Sequence, residues 1–192
     1  MKKIVFITSN PHKFEVAQRS LAQIGYEVVK EELEVPEIQS LEVREIASFS
    51  AKWASDKLNK PVALMDAGYY IETLNGFPGP FIKYINRWLS SNDLLKLMEG
   101  KANRKVNMQF CLGYCEPGQE PITFLSEASG QISQRAFKSD KPRVTPMDEI
   151  LIPDGFDKTD SEVPREEMIK FWSKVESYWT QLSDYLASSG NS

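Results

Sequence analysis

The chain has few of the residues that build disulfide frameworks or zinc sites, with two cysteines and one histidine among 192 residues. Cys111 and Cys115 are four positions apart in an apolar stretch that alternates as a strand does, and an extended backbone at that spacing cannot close a disulfide bond. His12 stands alone, and two cysteines separated by three residues are not a metal-binding signature. We therefore expect both cysteines to be small core residues and exclude a histidine-rich zinc site.

A long apolar run is also missing. Nowhere do about 18 apolar residues follow one another, which is roughly the length that spans a membrane. The N-terminal residues MKKIVFIT have neither the long apolar segment nor the cleavage site of a signal peptide. These absences predict no membrane association and, by default, a cytoplasmic protein.

The chain has no excess of positive charge. Its 23 basic and 27 acidic side chains give a net charge of -4, and no block of lysine and arginine stands out. Proteins that bind nucleic-acid polymers draw much of their affinity from basic contacts to phosphates, so a polymer partner is not expected. A free nucleotide fits better, because a metal ion and a few lysines are enough to hold a polyphosphate.

The rest of the composition is that of an ordinary folded protein, with 41% hydrophobic and 26% charged residues. The length suits a single domain over 1–192 with two lobes, and alternating apolar runs and helical periods predict an α/β fold with a mixed sheet. Strands are predicted at 3–8, 26–30, 62–65, 69–74, 105–116 and 122–130, with a short strand in 148–155 and an extension at 132–137 left open. A first helix that carries Phe14 to Ile24 is predicted after the turn at 9–13, and Gly25 closes it. Further helices are predicted at 41–58, at 92–98 with Ser91 as the cap, and as one apolar-faced helix from Pro164 to Leu186.

The stretch from Pro61 to Trp88 combines an acid, a turn and a lysine. A short apolar run ends at Asp66, which we place at the edge of a strand. The turn Asn75-Gly76-Phe77-Pro78-Gly79-Pro80 has two glycines and two prolines within five residues, which fixes the path of the loop. Lys83 follows in a predicted helix. The sequence thus predicts an acid and a lysine on either side of a stiff loop, with an ordinary strand-to-helix connection as the alternative.

The residues after the first predicted strand are suited to bind an anion. Thr8, Ser9 and Asn10 offer hydroxyl and amide groups at the start of a helix, where free backbone N–H groups also point outward. Lys13 adds a positive charge. Many strand-to-helix turns have similar residues, so this segment alone is weak support for a phosphate site.

Three segments, in this order, together resemble the inosine triphosphate pyrophosphatase family, the Ham1-like nucleoside triphosphate pyrophosphohydrolases. They are Ile7-Thr8-Ser9-Asn10-Pro11-His12-Lys13, Asp66-Ala67-Gly68 and Asn75-Gly76-Phe77-Pro78-Gly79-Pro80-Phe81-Ile82-Lys83. The residues 152–159 and 161–164 are similar to two further motifs of the family. The resemblance therefore runs over nearly the whole chain.

The resemblance implies an elongated α/β fold, with two lobes around a long mixed β-sheet and flanking helices, usually in a homodimer. It also implies Mg²⁺-dependent hydrolysis of deaminated purine triphosphates, such as ITP, XTP and dITP, to the monophosphate and pyrophosphate. By motif match, the substrate would be bound by Thr8, Ser9, Asn10, Lys13, Lys52, Lys83 and Asp148, the metal by Glu42 and Asp66, and Asp66 would be the catalytic base or the second metal ligand.

The chain departs from the family at three places. Met65 stands where the family usually has a second acid, and a thioether is a poor ligand for Mg²⁺. Before Asp148, the residues Thr145-Pro146-Met147 replace a segment with a base-stacking aromatic. Met168-Ile169 and Trp172-Ser173-Lys174 stand where the family recognises the purine base. The base pocket is therefore not expected to be the usual one.

Three interpretations remain open from the sequence. The first is an active pyrophosphohydrolase with altered base choice, in which a small helical shift brings Lys170 or Lys174 to the base. The second is a catalytically impaired nucleotide-binding protein of the same fold. The third has no nucleotide role, with the motifs kept for folding alone.

Overall fold

The computed structural model describes residues 2–141 and 144–189, apart from the side chains of His12 and Ser189. Strands and helices alternate through most of the chain. In order they are β1 (Lys2–Ile7), α1 (Pro11–Ala22), β2 (Tyr26–Glu31), α2 (Val43–Leu58), β3 (Val62–Ile71), a 3-10 helix (Glu72–Leu74), β4 (Pro78–Gly79), α3 (Ile82–Trp88), α4 (Ser91–Leu97), β5 (Lys105–Cys115), β6 (Ile122–Ile132), β7 (Leu151–Pro153), α5 (Arg165–Val175) and α6 (Tyr178–Ser189).

The sheet is mixed. Among the described residues seven strands join in the order β2-β1-β3-β5-β6-β7, and β4 pairs with β3 beside that path. Strand β1 runs parallel to both β2 and β3, whereas β4 is antiparallel to β3 and β7 is antiparallel to β6. The predicted α/β fold with a mixed sheet and flanking helices is confirmed. No helix within the described ranges is long and apolar enough to cross a membrane.

The chain divides into two compact units. The first comprises Met1–Asp66, Phe110–Ser126 and Glu176–Ser192, and the second comprises Ala67–Gln109 and Glu127–Val175. Each unit is described separately below.

In the first unit, helices cover the sheet on both faces. Ile4 and Phe6 of β1 lie in one buried cluster with residues of α1 and α6, while Val5 between them lies in a second cluster with residues of α2. Side chains of a strand alternate between its two faces, so a contiguous apolar run is what a strand covered on both sides requires. An edge-to-face contact between Phe6 and Trp179, with ring centroids 5.0 Å apart, joins β1 to α6.

Both cysteines are unbridged and buried in β5, as expected. Cys111 packs with α2 residues Val43 and Ala47, and Cys115 lies in the cluster around Leu64 and Val5. These positions confirm that the two cysteines are small core residues.

Strand β3 differs from the prediction of two separate apolar runs. It continues without a break from Val62 to Ile71, so Asp66 lies inside the strand rather than at its edge. The small residues Ala67 and Gly68, which suggested an interruption, are accommodated as strand residues. An added Cβ at Gly68 would come within 2.7 Å of the Tyr70 ring, so the absence of a side chain there leaves room for that ring.

The glycine- and proline-rich turn is built in the second unit. Gly76 and Gly79 have φ values of 86° and 58°, in the left-handed region that glycine adopts without steric cost. The turn returns the chain as β4, in which Gly79 pairs with Tyr69 and Pro78 pairs with Tyr70. The fixed loop path predicted from these residues is confirmed, and helix α3 with Lys83 follows it.

One helix end and one strand end differ from the sequence prediction. Helix α4 is capped by Ser90, one residue earlier than predicted, because the Ser90 hydroxyl accepts the Asp93 N–H while the Asp93 carboxylate accepts the Ser90 N–H. Ser91 instead lies inside the first turn of the helix and donates its hydroxyl to Glu149. The sheet also ends at Ile132 rather than extending to residue 137.

The long final helix predicted from Pro164 onward is two helices. Helix α5 ends at Val175 in the second unit, and α6 begins at Tyr178 in the first. No glycine or proline stands at the break, and the apolar residues keep a helical period across it. The sequence therefore predicted one continuous helix. Contacts elsewhere in the first unit fix the junction, since the Ser177 hydroxyl lies 2.9 Å from that of Ser126.

Candidate functional site

In the first unit, the residues before α1 form a polar turn that opens the helix. The Thr8 hydroxyl accepts the Asn10 N–H at 3.1 Å, and the Asn10 side-chain oxygen accepts the Lys13 N–H at 3.5 Å. Ser9 is exposed, and Pro11 occupies the first helical position, where its missing N–H costs no hydrogen bond. The turn therefore brings Thr8, Ser9, Asn10 and Lys13 together at the start of α1, and anion binding by these residues stays a prediction.

The surroundings of the Lys13 ammonium change its pKa. Burial lowers the pKa of Lys13 from its ordinary value, and the negative charges of Glu176 and then Asp66 oppose that change. Lys13 and Asp66 are both predicted site residues, and in the structure the charge of Asp66 acts on the Lys13 ammonium. The structure also adds Glu176, which the sequence prediction missed because it assigned that residue to the middle of a continuous helix.

Asp66 is half-buried in β3, and its neighbour Met65 turns into the core. Met65 packs against the buried cluster that contains Phe6 and Trp179. The carboxylate of Asp66 also acts on the Cys111 thiol, whose pKa is raised to about 11, mainly by burial. Asp66 is therefore an acid that is partly removed from water. Met65, which stands where the motif comparison expected a second acid, contributes packing instead.

Lys52 lies apart from the charges that surround Lys13. Its ammonium is 2.6 Å from the Asp56 carboxylate, one turn later on α2. The pKa of Lys52 is raised chiefly by this hydrogen bond. In this arrangement Asp56, rather than another predicted site residue, is the partner of Lys52.

Glu42 is an exposed residue directly before α2. Its side chain does not cap the helix, and its N–H donates to the Ser40 hydroxyl at 3.0 Å. The same hydroxyl donates to the carboxylate of Glu45 at 2.7 Å, so a second acid is oriented in the first turn of α2. Over residues 2–141 and 144–189, no three histidine, cysteine or acidic side chains form a group that could hold a metal ion.

In the second unit, Lys83 is an exposed residue at the start of α3. Its ammonium lies 5.6 Å from the centre of the Tyr84 ring. Tyr84 in turn contacts Trp88, with ring centroids 5.4 Å apart. Lys83 is held on the helix that follows the rigid turn, as the sequence predicted.

Asp148 is half-buried in a turn before β7. One oxygen of its carboxylate accepts the Thr145 N–H at 2.7 Å. The pKa of Asp148 is nevertheless raised to about 6, first because burial disfavours the charged form, with Asp160 and Glu149 adding negative charge. Asp148 therefore changes charge close to neutral pH.

Asp160 and Tyr69 complete the surroundings of Asp148. The Asp160 carboxylate accepts the Trp172 ring N–H at 3.0 Å, yet burial still raises its pKa. The pKa of Tyr69 is raised by burial and by the charges of both acids, so its phenol stays protonated. The sequence prediction gave neither residue a role, because Asp160 falls between the two motif segments at 152–159 and 161–164 and Tyr69 was assigned to a strand.

The residues Trp172-Ser173-Lys174, which the motif match aligned with base-recognition positions, have other contacts here. Trp172, besides its bond to Asp160, packs edge-to-face on Phe171 with centroids 4.9 Å apart. The Ser173 hydroxyl donates to a backbone oxygen one turn back, and Lys170 and Lys174 are exposed. Trp172 thus contacts Asp160, one of the two neighbouring acids, Asp148 and Asp160, of the second unit.

Solved structures match this fold over nearly its full length. The Ham1 protein of Staphylococcus aureus superposes with a TM-score of 0.78 and 22% sequence identity, covering 98% of this chain and 100% of that one. A HAM1 protein from Coxiella burnetii gives a TM-score of 0.79 at 20% identity with the same coverage. The architecture is that of Ham1 proteins.

The sequence comparisons identify the family. The model of the Ham1 family matches residues 4–175, and the chain belongs to that family. A relative from Methanopyrus kandleri named dITP/XTP pyrophosphatase is 40% identical over 171 residues, 88% of each chain. Another of that name from Thermococcus kodakarensis is 34% identical over 168 residues, 86% of this chain and 87% of the relative. The family resemblance seen in the motifs is confirmed.

Proposed function

We propose that this protein is a nucleoside triphosphate pyrophosphatase that converts ITP, XTP and dITP to the monophosphate and pyrophosphate. Relatives over most of its length bear the name dITP/XTP pyrophosphatase. The observation that carries the proposal is the cluster of Lys13 and Asp66 next to the polar turn that opens α1. A carboxylate and an ammonium beside such a turn are what attack on a bound phosphate chain requires.

The proposed reaction is attack of water on the α-phosphorus. A new bond forms from the water oxygen to phosphorus, the bond from phosphorus to the bridging oxygen breaks, and pyrophosphate leaves with the electron pair. Asp66 orients the water and accepts its proton. Lys13 and the donors of Thr8, Ser9 and Asn10 bind phosphate oxygens, and Lys13 offsets their charge.

Lys52 and Lys83 are proposed to contact the triphosphate as well. For Lys52 this requires the ammonium to leave Asp56, a change that an exposed ion pair allows because such pairs contribute little stability. Lys83 is an exposed residue of α3, and we propose that its ammonium approaches the phosphates from this helix. Their contributions are separate from that of Lys13 and are tested residue by residue.

The number of carboxylates proposed as ligands, Asp66 and Glu42, suits a magnesium ion. Mg²⁺ commonly takes one or two carboxylates, with water and substrate phosphates as its other ligands, so the lack of a protein cage among the described residues suits it. Asp66 and Glu42 are proposed to hold the ion, which when bound would neutralise phosphate charge and polarise the phosphorus centre. Substitution of Glu42 and of Glu45 by glutamine, one at a time, identifies which acid of this helix start sets the Mg²⁺ requirement.

Asp148 is proposed to contact the purine base. Hypoxanthine and xanthine present an N1–H donor that adenine lacks, and a carboxylate is a suitable acceptor for it. The half-buried position and the raised pKa of Asp148 fit a group that meets a ligand rather than bulk water. ATP should then be a poorer substrate than ITP.

The first experiment is pyrophosphate release from ITP, XTP, dITP, dUTP, ATP and GTP with Mg²⁺. Wild type is compared with Asp66→Asn and with Asp184→Asn, which removes one exposed acid from α6. We expect release from ITP or XTP, abolished in Asp66→Asn and retained in Asp184→Asn. Retained rate in Asp66→Asn would remove that residue from the mechanism, and no release by wild type from any nucleotide would refute the proposed activity.

A second candidate function is nucleotide binding without turnover. It is favoured by Met65, which packs into the core where an acid would otherwise supply a metal ligand. Calorimetric titration of ITP with and without Mg²⁺ separates the candidates, since tight binding without pyrophosphate release supports the second. A protein that binds no nucleotide would support a purely structural origin of the motifs.

We also propose that the protein is a homodimer, as the family resemblance implies. Analytical ultracentrifugation checks this directly, because a dimer would sediment at twice the chain mass of 21.9 kDa. A species of single-chain mass at all concentrations would contradict the proposal.

A further inference from the structure

A cavity of about 560 Å³ lies at one end of the sheet in the first unit. Lys2 and Tyr26, the first residues of β1 and β2, pair in register and line this cavity. The polar turn at Thr8 follows the opposite end of β1, roughly 16 Å further along the strand. The cavity has the size of a small-molecule site and is separate from the site proposed for the phosphate chain.

Three tyrosine rings line the cavity, those of Tyr26, Tyr114 and Tyr185. The rings of Tyr114 and Tyr185 meet edge to face, with centroids 6.4 Å apart, and Phe124 contacts Tyr185 at 6.0 Å. Aromatic rings offer apolar surface and also attract cations to their faces. The wall of the cavity therefore suits a ligand that has apolar and cationic parts.

The Lys2 side chain shows how the cavity receives an ammonium group. Its Nζ lies 5.7 Å from the centre of the Tyr26 ring, within the distance at which an aromatic face attracts a cation. The aliphatic stem of a lysine can pack on apolar surface while its head remains in polar surroundings. A ligand built of the same parts, methylene groups and ammonium groups, can make the same kind of contact.

Two acids border the cavity from the turn between β5 and β6. They are Glu116 and Glu120, and together with Lys2 they are the charged side chains among the described residues that line the cavity. The Tyr114 phenol donates to the Glu116 carboxylate at 2.8 Å, so the wall orients this acid, and a carboxylate can accept further hydrogen bonds. Two negative charges against one positive charge favour a cationic ligand.

The turn that carries both acids has a defined conformation. The Gln119 N–H donates to the Glu116 carbonyl oxygen at 3.0 Å. The buried thiol of Cys115 lies 3.3 Å from the backbone oxygens of both Glu116 and Gln119. A turn fixed in this way loses little freedom when a ligand binds to its side chains.

We propose that this cavity binds an aliphatic polyamine, which is a chain of methylene groups with ammonium groups at intervals. The ammonium groups bind the carboxylates of Glu116 and Glu120 and approach the tyrosine rings. The methylene groups pack on the apolar part of the wall, which is formed by Pro121, Ile122 and Leu186. A phosphate or another anion is disfavoured, because both carboxylates would repel it.

Calorimetric titration of the full chain with spermidine, at low ionic strength and without nucleotide, tests the proposal. Glu116→Gln removes one charge and keeps an oxygen that can accept the Tyr114 hydrogen bond. It should weaken spermidine binding about tenfold, because a hydrogen bond to a charged group commonly contributes that much. Glu15→Gln is the matched control, since Glu15 is an exposed acid of α1 in the same unit, and it should leave the affinity unchanged.

Lys2→Met tests the sign of the charge that the cavity prefers. Methionine keeps an apolar side chain and removes the ammonium that lies over Tyr26. A polyamine then meets neither a like charge nor a competitor for the ring, so spermidine should bind about threefold more tightly. An anionic ligand would instead lose an attractive charge. Lys2 and Glu116 are exposed, so neither substitution should disturb folding, which circular dichroism checks.

The proposal is supported if Glu116→Gln weakens spermidine binding, Lys2→Met tightens it and Glu15→Gln leaves it unchanged. It is overturned if the folded wild type does not bind spermidine, or if Glu116→Gln binds as tightly as wild type. Equal losses in Glu116→Gln and Glu15→Gln would also overturn it, because they would indicate unspecific attraction to an acidic protein. Weaker binding by Lys2→Met would contradict a site for cations.

Discussion

Replacement of Asp148 by asparagine should stabilise the folded chain at neutral pH and lose this advantage in acid. In the wild type, burial and the neighbouring charge of Asp160 raise the pKa of Asp148 from 3.8 to about 6. Asparagine has nearly the same shape and no charge, and its side-chain oxygen can still accept the Thr145 N–H that now bonds to the carboxylate. The substitution thus removes the buried charge and keeps the hydrogen bond.

The magnitude follows from the two pKa values. Their difference, about 6 minus 3.8, is about two pH units, and each unit corresponds to about 1.4 kcal/mol. Because the folded state holds the proton more tightly, the acid costs nothing below about pH 4, where both states are protonated. Its cost grows as pH rises towards 6 and reaches about 3 kcal/mol above it. Asp148→Asn should therefore be about 3 kcal/mol more stable than wild type at pH 7.5 and about equal to it at pH 4.

Urea denaturation at pH 4, 6 and 7.5 measures this difference. In thermal melting the gain at pH 7.5 corresponds to about 6 to 12 °C for a chain of this length. Asp154→Asn is the matched control, because Asp154 is exposed in the same unit, and it should change stability by less than about 0.5 kcal/mol. A gain that is absent at pH 7.5, or that is equally large at pH 4, would refute the reasoning from buried charge.

Three further predictions concern single features. Lys83→Ala should weaken nucleoside triphosphate binding measured by calorimetry while kcat changes less, and an unchanged affinity would count against its role. Gly113→Ala should lower the unfolding free energy in urea by about 3 kcal/mol, because the added Cβ would lie 2.2 Å from the backbone oxygen of Ala47, and wild-type stability would contradict the packing described here. Cys111 and Cys115 should not react with a thiol reagent in the native protein at pH 8 and should react fully in urea. Both thiols are buried, and burial raises the pKa of each. Rapid labelling of the native protein would contradict this prediction.

The parts of the fold predicted from sequence were those set by local chemistry. The contiguous run Ile4 to Ile7 requires a strand covered on both faces, and the structure places α1 and α6 on one face and α2 on the other. The turn at 75–80 needs glycine at positive φ, which the sequence shows directly. Such features depend on residues close in the chain, so their consequences can be read without a structure.

The failures were positions decided by distant contacts. The apolar stripe after Pro164 keeps a helical period through Glu176, and the break there depends on Ser126 and on the core around Tyr178. In β3, pairing with neighbouring strands outweighs the low strand propensity of Gly68, so Asp66 lies within the strand. The same limit applies to the candidate site, where Glu176 and Asp160 became visible only through the residues they approach.

Each unit of the chain buries a charge that folding alone would not favour. The pKa of Lys13 is lowered and that of Asp148 is raised, so in both cases the surroundings oppose the charged form. At Asp148 the opposition amounts to about 3 kcal/mol at neutral pH, which is a large part of the stability of a typical domain. An asparagine would keep the same hydrogen bond without this cost, so packing gives no reason for the acid. That cost is explained if Asp148 meets a ligand, and it supports the role proposed for Asp148 more strongly than its position in a motif does.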